Sequence, residues 1–104
     1  MRTVTASFNI LPGKEAEAEA AMCKVADAVR DNEPGILIYA WHRASKDPSR
    51  ILVFEVYADD DAAQTHRSSP HNLEFQKYFA PDTALFDVSS VKLERWDRFA
   101  AVQR

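Results

Sequence analysis

Ile36-Leu37-Ile38-Tyr39-Ala40-Trp41-His42-Arg43 and Arg50-Ile51-Leu52-Val53-Phe54-Glu55-Val56-Tyr57 are two runs of mostly apolar, aromatic and β-branched residues, separated by the polar stretch Ser45 to Ser49. Such residues suit a pleated surface, and a short polar break between two such runs predicts a hairpin. At a period of two, the first run sets Leu37, Tyr39 and Trp41 on one side and Ile36, Ile38 and Ala40 on the other, so both faces are apolar. If helices covered only one face, the other would expose a larger apolar patch than soluble monomers carry. The hairpin therefore predicts cover on both faces, the second supplied by another copy of the chain in a homodimer.

Upstream, Val4, Ala6, Phe8 and Ile10 alternate with Thr5, Ser7 and Asn9, the pattern of a half-buried first strand. Pro12-Gly13 breaks it. From about Lys14 to Asp31, Ala18, Met22, Val25, Ala26 and Val29 recur at helical spacing. Glu15, Glu17 and Glu19 near the start and Arg30 near the end complement the helix dipole, and Pro34-Gly35 stops the helix.

Downstream, Asp59-Asp60-Asp61 offers an N-cap and first-turn acids to a helix through Ala62, Ala63 and His66. Ser69-Pro70 begins a second helical piece reaching Phe79, because serine caps well and proline fits the first helical turn. Val88 to Trp96 reads as the last strand. The order β-α-β-β-α-β defines an α+β, ferredoxin-like fold, a four-stranded antiparallel sheet with its helices on one face. A chain of 104 residues is one domain, residues 1–104, with a core of about 3–96 and a polar tail at 97–104.

Composition excludes several functions. A net charge of −3, with no Lys/Arg block, argues against nucleic acid and membrane partners. Two glycines, Gly13 and Gly35, cannot build the glycine-rich phosphate turns of Rossmann or P-loop proteins. No apolar run approaches the roughly 20 residues of a membrane-spanning helix. A lone Cys23 allows no intrachain disulfide, and the N-terminus lacks a signal-peptide layout, so a cytoplasmic location is expected.

The chain resembles the antibiotic biosynthesis monooxygenase family of dimeric α+β barrels. The likeness is carried by Pro12-Gly13-Lys14-Glu15, by Glu33-Pro34-Gly35, and by Phe54 to Ala63 running on to His66-Arg67-Ser68-Ser69-Pro70-His71. It implies the fold, a homodimer and a small-molecule pocket between sheet and helices. Family activities include cofactor-free oxidation of phenols or anthrones, haem degradation and isomerisation of a phosphorylated diketone. The haem degraders' Asn, Trp and His fall near Ala6, His66 and Gln76, which does not fit haem. The anthrone oxygenases' Trp and Asn fall on Tyr57 and Val53.

Glu55 interrupts an apolar strand, where desolvation would raise its pKa and suit it to act as a base; the alternative is a carboxylate paired at the interface. His66 lies on the helix face turned to the sheet and can exchange protons near neutral pH, or can simply be a satisfied inward histidine. Glu55 and His66 are the catalytic candidates. Tyr57 and Asn9 would orient substrate, His42 and His71 would stand at the rim or cap, and Val53, Phe75 and Phe79 would wall the cavity. The three histidines are scattered in sequence, so no metal and no cofactor is expected.

The resulting expectation is a cofactor-independent monooxygenase oxidising a phenolic or quinol-type substrate with O2. Its rivals are an isomerase of a small dicarbonyl, with or without a phosphate, and a non-catalytic dimeric ligand-binding module. Arg43, Arg67 or Lys77 would anchor a phosphate.

Overall fold

A computed structural model describes residues 1–104. The elements are β1 (Arg2–Ile10), α1 (Glu15–Asn32), β2 (Ile36–Ala44), β3 (Asp47–Tyr57), α2 (Asp60–Ser68), α3 (Pro70–Gln76), a 3-10 turn (Lys77–Phe79) and β4 (Phe86–Trp96). They form one sheet in the order β2-β3-β1-β4 with antiparallel pairing throughout. This is the α+β, ferredoxin-like arrangement expected from the order of elements.

Local chemistry explains the boundaries. Pro12-Gly13 makes the first turn, with Gly13 at φ +83°, a conformation glycine adopts without a Cβ clash. Asp59 caps α2 by accepting a hydrogen bond from the Ala62 amide, and Ser69 caps α3 by accepting one from the Asn72 amide. Gly35 is required for a different reason: a Cβ there would lie 2.7 Å from the Ala62 Cβ, so its bare backbone lets α2 approach β2. β3 begins earlier than expected, at Asp47, and Pro48 is tolerated because pairing with β1 starts only at Arg50.

The register sorts the side chains by face. Ala6 faces Val53 and Phe8 faces Ile51, and these four residues join Met22, Val25, Phe75 and Phe86 in the core beneath α1 and α3. On the opposite face Leu52 is 41% and Ile38 38% exposed, and Trp96 is half exposed. Residues 97–104 carry no regular structure, and no helix is long and apolar enough to cross a membrane.

Candidate functional site

A cavity of about 510 Å³ opens between the sheet and the α2–α3 segment. Phe8, Tyr39, Trp41, Phe75 and Phe79 form its aromatic wall. The rings meet edge to face, with Trp41 5.6 Å from Phe75 and 6.1 Å from Phe8, the arrangement that ring quadrupoles favour. At one end the polar side chains converge. Glu55 and Tyr57 stand two apart on β3 and therefore project to the same face, and the Tyr57 hydroxyl donates to Glu55 Oε1 at 2.5 Å. His66, arriving on α2, brings its Nε2 to 4.0 Å from the same oxygen. The His66 ring centroid is 5.5 Å from that of Tyr39 and 5.9 Å from that of Tyr57.

Behind His66 lies Glu33, the residue that ends α1, only 5% exposed. Its Oε2 is 3.0 Å from His66 Nδ1 and 2.5 Å from His71 Nε2. An ionised carboxylate only accepts, so both ring nitrogens are donors, and His66 is fixed as the Nδ1–H tautomer with its Nε2 lone pair toward Glu55. Glu33 Oε1 is buried without a partner, and the two imidazole N–H groups hold the other oxygen of that carboxylate.

Burial pushes the Glu55 carboxyl above its usual range, while the Tyr57 hydrogen bond and the nearby His66 pull it back and Glu33 adds to the rise. Burial, followed by the charge of Glu55, also pushes the Tyr39 and Tyr57 hydroxyls up, which keeps both protonated as donors.

Of the residues expected from sequence, His66, Glu55, Tyr57, Val53, Phe75 and Phe79 line this cavity together. Three do not. Asn9 lies one residue out of phase with Phe8, on the other sheet face, where its Oδ1 accepts from Arg50 at 3.1 Å. His42 is out of phase with Trp41 and exposed, beside a smaller depression with Cys23 and Arg43. His71 touches Glu33 instead of the cavity. The histidines are also not scattered: His66 and His71 converge on Glu33, and the three offer ligand atoms within 4.8 Å of one another. In this geometry the nitrogens hold the carboxylate through N–H hydrogen bonds, at spacings below the roughly 3.3 Å between ligands around a tetrahedral zinc ion.

Sequence reasoning missed Glu33, Tyr39, Trp41 and Arg2. One signal pointed to Glu33: an acid at a helix C-terminus opposes the dipole and needs a compensating partner.

The antibiotic biosynthesis monooxygenase family model matches residues 1–78. A Pseudomonas aeruginosa protein of known structure is 26% identical, with 95% of this chain and 94% of that one covered and a TM-score of 0.81. A candidate antibiotic biosynthesis monooxygenase from Caulobacter crescentus is also 26% identical, over 95% and 90% of the two chains, with a TM-score of 0.83. One from Deinococcus radiodurans, 17% identical over 100% and 98%, shares the fold with a TM-score of 0.82. No curated protein matches the sequence. With three quarters of its length inside the family model and its whole fold shared with these neighbours, the chain belongs to the antibiotic biosynthesis monooxygenase family.

Proposed function

We propose that the protein is a cofactor-independent monooxygenase that works as a homodimer and oxidises a phenolic or quinol-type substrate with O2 in the aromatic cavity. The observation that carries this reading is the meeting of His66 Nε2 with the buried Glu55–Tyr57 pair at one end of that cavity. A substrate that supplies its own electrons must first lose a proton. His66 Nε2, held in its accepting tautomer by Glu33, takes that proton, and Glu55 faces the imidazolium that forms. The substrate anion transfers an electron to O2, and recombination forms a carbon–oxygen bond and a peroxide. His66 returns its proton to the peroxide, whose O–O bond then breaks with release of water, while the oxygenated ring carbon loses its one hydrogen and becomes a carbonyl. The balance is one phenol, giving up its O–H and one ring C–H, and one O2, giving one quinone and one water. The Tyr39 hydroxyl, kept protonated, is the donor available to the developing oxyanion, since Tyr57 gives its one proton to Glu55.

Two proton-carrying groups 4.0 Å apart would also serve an isomerase, one removing a proton beside a carbonyl and the other delivering it to the neighbouring carbon. Oxygen electrode measurements on metal-free protein separate the two: substrate-dependent uptake supports the oxygenase, and product rearrangement without uptake supports the isomerase. A protein that binds the substrates but converts none of them is the third possibility, a binding module.

A further inference from the structure

We propose that the cavity is built for an anionic substrate, an aromatic acid or aryl phosphate whose oxyanion is held at the mouth by Arg67 and Arg95 with help from Arg2. This rests on the cavity being the substrate site, and not on the chemistry proposed there. All three arginines line it. Among the other arginines on the helices and strands, each is occupied: Arg30 pairs with Asp27 and Asp31, Arg43 with Glu19, and Arg50 bonds Asn9 and Ser7, while Arg98 and Arg104 belong to the exposed stretch after β4. At the cavity they are not. Arg95 has no acid within 4.0 Å, and the one side-chain bond of Arg67 goes to the neutral Gln64 at 2.8 Å. Arg2 has only a 3.6 Å contact with the highly exposed Asp60, and its Nε is buried without a partner.

Two acids line the same cavity. Glu94 is tied to Lys92 at 3.4 Å, and burial favours the uncharged form of Glu55. The mouth is therefore cationic on a protein whose net charge is −3. Guanidinium forks bind carboxylates and phosphates in two-pronged fashion, and a partly desolvated cleft strengthens that attraction.

Spacing gives the size of the ligand. Arg95, Val4 and Glu55 lie side by side across β4, β1 and β3. Two strand spacings, about 10 Å, separate the first from the last. A bicyclic aromatic acid spans that distance with its acid group on the arginines and its phenolic ring at Glu55 and His66.

The test is calorimetric binding of 6-hydroxy-2-naphthoate, 6-hydroxy-2-naphthyl phosphate and neutral 2-naphthol at low and at 0.5 M salt, to wild type and to Arg67→Ala/Arg95→Ala. Both arginines are exposed, so an unchanged melting curve checks that the variant is folded. The expected result is that at least one anion binds about tenfold or more tightly than naphthol, a difference that shrinks in salt and disappears in the variant. The better of the two anions identifies the acid group. Equal binding of anions and naphthol, or a preference that survives the double substitution, overturns the proposal. Anion preference without oxygen uptake would leave this inference standing and remove the oxygenase, whereas uptake with neutral phenols and no anion preference would do the reverse.

Discussion

The His66 Nδ1 atom lies 3.0 Å from the carboxylate of Glu33, a residue 33 positions earlier in the chain that closes the first helix. A buried acid thus sets which nitrogen of the imidazole faces the aromatic cavity. Replacing Glu33 with Gln keeps the shape but removes the charge that stabilises an imidazolium. Turnover should fall by about 100-fold or more with KM little changed, as expected when a base loses its orienting carboxylate. Nitrogen-15 chemical shifts of His66 should show a mixture of tautomers in place of one, a readout that a purely structural role for Glu33 would not move.

Glu55 gives a pH-dependent prediction. Its folded-state pKa is raised, mainly by burial, so its ionisation works against folding. The stability it permits is complete below the unfolded carboxyl value, near 4.5, and is lost as pH rises through the elevated folded value. Glu55→Gln can still accept from Tyr57 and has no such loss. In urea titrations the variant should gain stability relative to wild type between acidic and neutral pH. A constant difference across that range would show that Glu55 titrates normally.

Gly35 predicts a packing defect. A methyl there would sit 2.7 Å from the Ala62 Cβ, so Gly35→Ala must push α2 away from β2. The expected cost is about 1–3 kcal/mol. Because α2 carries His66, turnover should fall as well. Chemical denaturation and steady-state kinetics on the same variant check both effects.

Phe86 is 1% exposed and packs against Phe8, Phe75 and Phe79, whereas Leu93 is 70% exposed. Phe86→Ala should destabilise the fold by about 3–5 kcal/mol and Leu93→Ala by well under 1 kcal/mol in the monomer. On the uncovered sheet face, Leu52→Asp should convert a homodimer into monomers in light scattering, since it puts a charge into the face that a second copy would bury.

The fold was legible because its determinants are local. Alternation in Val4 to Ile10, the Pro12-Gly13 and Pro34-Gly35 breaks, and the Asp59 and Ser69 caps each act within a few residues. The pocket was legible only where one strand or helix supplied the clue: Glu55 and Tyr57 share a face of β3, and His66 shares the inward face of α2 with Ala62 and Ala63. Asn9 and His42 are out of phase with Phe8 and Trp41, so strand alternation by itself turns both away from the pocket face. Glu33 and His71 depended on a long-range meeting of a helix end with a different helix, which no local pattern encodes. The unfavourable acid at the end of α1 was the one trace of it.

Oxygen consumption by metal-free protein, measured with dihydroxynaphthalenes, anthrones, simple quinols and hydroxynaphthoates, tests the central claim most directly. Uptake in wild type that falls at least 100-fold in His66→Ala is the predicted result. No uptake with any of these substrates, or uptake that His66→Ala leaves intact, would contradict it.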